Sequence, residues 1–480
     1  MSKTAGKYYL TTAIPYVNAK PHIGHVMEWF QADVVARYQR LLGKDVAFTA
    51  GADENSLKNV LAAEKVGVTP QAWLDEYSQI FTDAFKSFGI SLTDFRRGSD
   101  QEKHWPGVQE LWKRCEAAGD LYTKKYSGLY CVGCESFYAP DELIDGKCPE
   151  HFTVPETVEE ENYFFRLSKY EQKIRDLITS DELRIVSEQF KNEMLGFIDK
   201  GLEDFSVSRS IKRGRGVGVP VPGDKTQVMY VWFDALTIYM TAIGFGFDQT
   251  RFEKFWPADV HFIGKGINRF HSIYWIGMLL SAGLPMPKAV SVHGYITING
   301  QKMSKSLGNV VDPYDLVAKY GLETVRYYLL KEIPAHGDGD FSDDRFHELY
   351  TADLANGLGN LCSRVAKLCE KNGLVLEKFS PKFDRHFEEL INNFQNDEAL
   401  RWLQQEITLA DQFLNEQKPW AQIGEDQTKT LREVVQKVTV IAWHLQPFMP
   451  ETATKILQHF QQSKITAIQP LFPRIMNDIM

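Results

Sequence analysis

The sequence predicts an α/β protein built on a parallel sheet, followed by an all-α bundle. Three observations carry this. Apolar strand-like runs alternate with helix-period segments over the first part of the chain. An aromatic stretch rich in Gly, Pro and Cys interrupts that order. After about residue 321 strand signals fade and helical patterns dominate.

Residues 8–14 (Tyr-Tyr-Leu-Thr-Thr-Ala-Ile) read as a buried strand and 15–20 as a turn. Pro21 sits where a first helical residue is tolerated. Ile23, Val26, Met27, Phe30, Val34 and Val35 recur at helical spacing, to about Leu42 before Gly43. Residues 45–51 form the second strand. Strand, helix, strand opens a parallel sheet, and the helix N-terminus is a natural seat for phosphate. Residues 87–115 look helical. Residues 119–163 read as a small inserted module. The α/β pattern resumes near Gln227, with strands at 260–263 and 289–294 and a helix at about 268–280. The final helices break near Gly373, Lys418-Pro419 and Met449-Pro450. The expected domains are 1–116 and 227–320 as two halves of one catalytic domain, 117–226 as a connective insertion, 321–350 as a linker, and 351–480 as a helical domain.

With 480 residues the chain has room for about three domains at roughly 100–200 residues each. Its 44% apolar and 24% charged content is that of an ordinary soluble protein. A net charge of -9 excludes a general nucleic-acid coat but leaves room for local basic patches, such as 209–215. The start is polar, so no secretory signal is expected. The most apolar run, 230–247, contains Asp234, Thr237 and Thr241 and is short for a membrane span; it reads as a buried strand and helix. A cytoplasmic protein with no membrane partner is expected.

Six cysteines do not make a disulfide framework. Cys131 and Cys134, then Cys148 and His151 after a thirteen-residue gap, form C-x2-C and C-x2-H. Three thiolates and an imidazole suit tetrahedral Zn2+, and four protein ligands leave no open position, so the metal would be structural. Cys115, Cys362 and Cys369 lie at helical positions and read as core residues.

His22, Gly24 and His25 stand at the first turn of a helix, where backbone N–H groups and the dipole favour anions. Gly24 leaves room for a flat base against the backbone. Lys302-Met303-Ser304-Lys305-Ser306 is a cationic turn suited to phosphate. Either motif alone is as readily a solvated surface feature.

Together, in this order, the two motifs resemble those of the class I aminoacyl-tRNA synthetases. The likeness extends to the methionine-specific members, through residues 12–18 (Thr-Ala-Ile-Pro-Tyr-Val-Asn), 230–239 (Tyr-Val-Trp-Phe-Asp-Ala-Leu-Thr-Ile-Tyr), 261–265 and 270–272. The resemblance implies a Rossmann-like catalytic domain that activates L-methionine with ATP and Mg2+. It then transfers methionine to the 3′ end of tRNA(Met), initiator and elongator alike. It implies catalytic roles for His22, His25, Lys302 and Lys305, and ATP contacts from these histidines, Gly24, Gly264, Asn268 and Lys305. Ile14, Tyr16, Trp232, Ala235, Tyr239, Phe270 and His271 would line the methionine pocket, with Asp53 on the substrate ammonium. Arg209 would stand at the active site. Asn360, Arg364 and Trp420 would read the anticodon, and the cysteine module would match the single-zinc insertion of bacterial members.

The leucine, isoleucine and valine enzymes carry a large editing insertion, for which 117–226 is too short. The extra C-terminal β-barrel of dimeric members is not seen, so a monomer is expected. The chain departs from the family at three places. It has Asp53-Glu54-Asn55-Ser56 for Asp-Glu-His-Gly, Gly264-Lys265-Gly266 for Gly-Lys-Asp, and Gly216-Val217-Gly218 for a Trp-Gly pair. Asn268 is the candidate for the ribose contact that Gly266 cannot make. A non-catalytic tRNA-binding paralogue and a nucleotidyltransferase are the alternatives.

Overall fold

The computed structural model describes residues 6–134, 136–150, 152–302, 310–375 and 379–473. Its contacts divide the chain into two units. One is Met1–Pro21 with Gly43–Val292, the other His22–Leu42 with His293–Met480.

The first unit is built on a six-stranded sheet in the order Asp94–Arg97, Asp45–Ala52, Lys7–Thr12, Val260–Gly264, Ala289–His293, Arg184–Val186. Both pairings of Lys7–Thr12 are parallel, with Tyr9 opposite Ala47 and Leu10 opposite Val260. So are those of Asp45–Ala52 with Asp94–Arg97 and of Ala289–His293 with Arg184–Val186. The central strands are apolar runs, as in a parallel sheet buried on both faces. Asp45–Ala52 is buried except at its first residue. The insertion supplies a four-stranded sheet around the antiparallel pair Leu121–Cys131 and Glu156–Phe165.

Several expected elements differ. The first helix is Ile23–Leu41 with His22 as its N-cap, so Pro21 precedes the helix and is not its first residue. The segment 87–115 is not one helix. A helix ends at Ser87, Asp94–Arg97 is an edge strand, and Trp105–Ala117 is the next helix. Asp-Phe-Arg-Arg hides its strand character behind charge. Arg96 is buried nonetheless, held to Asp100 at 2.9 Å. The run 230–247 holds no strand; it is the helix Val231–Thr241, buried at every position, followed by turns. A helix apolar all round belongs in a core. The expected helix at 268–280 is a π-helical turn, Phe270–Tyr274, leading into Trp275–Ser281.

The second unit contains a small sheet that sequence reading did not foresee after residue 321. Ile296–Ile298 pairs with Gln301–Lys302 and, in parallel, with Gly339–Phe341. A side chain at Gly294 would lie 2.2 Å from the Gly337 backbone, so glycine lets these two segments meet. The remainder is helical. Breaks fall where expected: Gly373 takes a left-handed C-cap, Lys418 does likewise before Pro419, and Pro450 opens a helix. The helix Ile23–Leu41, although it crosses between two sheet strands, is stitched to these helices. Buried Asp33 meets Arg326 at 2.7 Å, and Asn396 donates to the Gln31 carbonyl at 3.3 Å. Among the described residues no helix is long and apolar enough to cross a membrane.

Candidate active site

In the second unit, His22 and His25 fold back on their own helix start. The His22 Nδ1 accepts from the Gly24 N–H at 3.1 Å, and the His25 Nδ1 accepts from the His22 N–H at 3.1 Å. This is a capping box made of two imidazoles. With each Nδ1 used as an acceptor, the neutral rings carry their proton on Nε2 and can donate there. Burial, reinforced by His22 and His293, pushes the His25 pKa well below the usual imidazole value. The rings lie 3.8 Å apart. A Cβ at Gly24 would come within 3.0 Å of the His22 ring, so glycine keeps the turn open. Within the same unit His293 pairs with Glu28 at 3.0 Å, a contact that the sequence did not signal. Lys302 ends the short strand opposite Thr297. Lys305 lies outside the described residues.

In the first unit, Trp232 and Phe270 stack at 3.9 Å with planes 7° apart, and Tyr16 meets Trp232 edge-on at 6.3 Å. Ile14 is half-buried, and Ala235 is buried on the same helix face as Trp232. The Tyr239 hydroxyl lies 2.7 Å from the His271 Nε2, and the His271 Nδ1–H donates to the Ile267 carbonyl at 2.9 Å. Burial lowers the His271 pKa to about 4, against a smaller raising effect of the Ile267 bond. Asp53 is buried and forms a parallel bridge with Tyr16. The segments carrying Ile14, Tyr16, Asp53, Trp232, Tyr239, Phe270 and His271 thus bring the buried Asp53 carboxylate and a set of aromatic rings into one unit, with Lys58 over the Tyr16 ring at 4.0 Å and Arg269 over the Phe270 ring at 5.1 Å. His261, fully buried, stacks on Tyr239 at 4.3 Å and bonds Thr11 at 2.7 Å. It lay in a quoted motif, yet nothing in the sequence gave it a role.

Gly264 ends its strand and caps the short turn Lys265–Ile267. Asn268 is 1% exposed, accepts from Ser272 at 2.7 Å and lies 3.5 Å from the Phe190 carbonyl. Arg209 is buried, with its guanidinium over the Tyr230 ring at 5.0 Å.

The departure at Asn55 and Ser56 has a structural place. Ser56 caps the helix Leu57–Val66 through the Lys58 N–H. Asn55 donates to the Gly98 carbonyl at 2.9 Å and to Asp234 at 2.6 Å, and the other Asp234 oxygen meets the His104 Nε2 at 2.6 Å. A carboxylate inside an apolar run was the only sequence signal of this network.

Cys131, Cys134 and Cys148 place their sulfurs within 4.8 Å of one another. A tetrahedral zinc with bonds of about 2.3 Å sets sulfurs about 3.8 Å apart, so the three fit a metal. Cys131 and Cys148 are buried, with Tyr138 packed against them. His151 lies outside the described residues. Cys115, Cys362 and Cys369 are buried in the cores, as expected.

On the helical part of the second unit, Asn360 opens the helix Asn360–Asn372, directly after a π-helical segment. Arg364 is held by Asp411 at 2.6 Å and Asn415 at 2.5 Å, and its guanidinium lies 5.9 Å from the Trp420 ring. Trp420 is 48% exposed. A buried tryptophan would have been core; this one offers a ring to solvent.

A parallel α/β sheet, a histidine-capped helix start and a cluster of aromatic rings with a buried carboxylate in the same unit are the features of a nucleotide-using α/β enzyme of the synthetase type. The family described as tRNA synthetases class I (M) matches residues 8–153 and 151–366. Methionine–tRNA ligase of Thermotoga maritima is 40% identical over 94% of this chain and 75% of its own length. That of Mesorhizobium japonicum is 41% identical over 94% and 90%. The structure of Mycobacterium tuberculosis methionyl-tRNA synthetase in complex with methionyl-adenylate superposes with a TM-score of 0.91 at 36% identity, covering 98% of this chain and all of that one. The chain belongs to the methionine branch of the class I tRNA synthetases.

Proposed function

We propose that this chain is a methionine–tRNA ligase. The observation that carries the reading is the set of ring contacts of Tyr16 with Trp232, Trp232 with Phe270 and Tyr239 with His271, in the unit that also buries the Asp53 carboxylate. Methionine offers a polarisable thioether for aromatic walls and an ammonium for Asp53. Its carboxylate attacks the α-phosphorus of ATP, the bond to pyrophosphate breaks, and methionyl-adenylate forms. A terminal ribose hydroxyl of tRNA(Met) then attacks the acyl carbon and AMP leaves. His22 and His25, as Nε2–H donors, would offset charge on the phosphates, together with Lys302 and Lys305. Gly24 and Gly264 would let the nucleotide approach the backbone, and Asn268 would reach it after releasing Ser272. Positioning and charge stabilisation supply most of the rate in such phosphoryl chemistry. Mg2+ would arrive with ATP.

Cys131, Cys134, Cys148 and His151 would hold one structural Zn2+, which cross-links two turns of the insertion. Asn360, Arg364 and Trp420 would read the anticodon of initiator and elongator tRNA(Met), with Trp420 stacking on an unpaired base. In this reading 1–116 and 227–320 form the catalytic domain, 117–226 the insertion, 321–350 a linker and 351–480 the anticodon-binding domain, in a cytoplasmic monomer.

Pyrophosphate exchange into ATP with each amino acid in turn tests the activity. Exchange with methionine alone is expected, and none with any amino acid refutes it. Trp420→Ala is expected to raise the KM for tRNA by roughly 10-fold or more, from the ~1–3 kcal/mol of a base stack, and to leave methionine-dependent exchange unchanged. A loss of exchange in that variant would remove Trp420 from the RNA-reading role.

A further inference from the structure

The helix Val231–Thr241 presents two buried faces with different work. Trp232, Ala235 and Tyr239, spaced i, i+3 and i+7, look onto the aromatic pocket. Asp234, Ile238 and Thr241 form the opposite row, and each is fixed to a different element. A Cβ at Gly51 would lie 2.7 Å from the Ile238 side chain, so the strand Asp45–Ala52 touches the helix there through a bare backbone. A Cβ at Gly107 would lie 2.4 Å from the Thr241 methyl. Thr241 also bonds the His104 Nδ1 at 2.8 Å. Asp234 takes His104 on one oxygen and Asn55 on the other, each at 2.6 Å.

The turn that carries Asp53 is itself held by neighbours. Glu54 accepts from Ser78, Arg97 and Ser99, at 2.5–2.9 Å. Asn59 donates to the carbonyls of Asp53 and Glu54 at 2.8 and 3.1 Å. Asn55 is the member of this turn whose side chain reaches the helix. It stands two residues after Asp53, and its acceptor stands two residues after Trp232 and one before Ala235.

We propose that Asn55 is a positioning residue for methionine. Through its bond to Asp234 it sets the distance between the Asp53 carboxylate and the aromatic wall on the helix Val231–Thr241. The inference rests on the reading of that pocket as the methionine site. One short bond joins the ammonium side of the pocket to its thioether side. Removing it leaves the His104 bond to Asp234 in place and takes away the side-chain link between the helix and the turn that carries Asp53. Asn stands here where the family commonly has His, so this chain makes the link with its own residue.

The test is methionine-dependent pyrophosphate exchange on the full chain. Asn55→Ala is expected to raise the KM for methionine about 10-fold, with kcat and the KM for ATP changed less than about twofold. Asn55→Leu, which is of similar size and has no N–H to donate, is expected to show the same selective rise. Thr241→Val, at the far end of the network, is expected to keep the wild-type KM. A normal methionine KM in either Asn55 variant, an equal change in all constants, or the same rise in Thr241→Val overturns the proposal. If Asn55→Ala does not fold, Asn55→Leu decides. Absence of methionine-dependent exchange in the unmodified chain would instead refute the pocket reading itself.

Discussion

His271 shows how far a single residue depends on its surroundings. As a free imidazole it would titrate near 6.5. Buried between the Ile267 carbonyl and the Tyr239 hydroxyl, it titrates at about 4. Between these two values the folded chain holds fewer protons than the unfolded one. The stability gained by keeping the ring neutral is therefore complete above about pH 6.5 and is lost as pH falls toward 4, by about 3 kcal/mol. His261, His25 and His444 are shifted the same way by burial and act in the same direction. We expect the Tm to be level above pH 7 and to fall on acidification from 6.5 to 4. His271→Asn should flatten that fall, and a Tm that rises on acidification would contradict the assignment. In the proposed methionine site, the same neutrality would keep a positive charge away from the thioether at working pH. The identity of His271 could be read in the sequence through its motif, but its charge state could not, because burial is a property of what packs around it.

At the scale of elements, the helix Val231–Thr241 was half legible. Its apolar run announced burial, but a run apolar on all sides gives no phase, so the sequence could not say which row faced the pocket and which faced the sheet. Gly51 decides this from the other side. Gly51→Ala would set a Cβ 2.5 Å from the Arg96 carbonyl and 2.7 Å from Ile238. Backbone cannot yield as a side chain does, so we expect a loss of about 1–3 kcal/mol in denaturant unfolding. Gly196→Ala is the control. Nothing lies within 4 Å of its Cβ, it sits inside the helix Glu188–Ile198, and it should gain about 1 kcal/mol. Equal effects at the two sites would refute the packing argument. The strands Asp94–Arg97 and Gly339–Phe341 escaped sequence reading for a related reason. Each is short and polar, and each is a strand because a neighbouring strand offers it a ladder.

At the scale of the whole molecule, the cysteine turns of the insertion sit apart from the main apolar core. Among the described residues, the sulfurs of the insertion lie in a small separate buried cluster of Cys131, Tyr138 and Cys148. If a metal joins them, the purified chain should carry about one zinc by elemental analysis. Cys148→Ser should lose it and make residues 121–165 sensitive to limited proteolysis, while the parallel sheet keeps its far-ultraviolet signal. A zinc-free wild-type chain would remove the metal assignment. The larger core resists such changes because it spans the sheet, the helix Val231–Thr241 and the insertion's inner face in one apolar cluster. By itself the sequence determined the family, the class of reaction and the cysteine pattern, because these depend on residue type and spacing along the chain. Only the tertiary structure decided that Ile23–Leu41 packs with the C-terminal helices, that Asn55 reaches Asp234, and that His25 and His271 stay neutral. These depend on partners more than a hundred residues away in several cases, and on burial that no local pattern records.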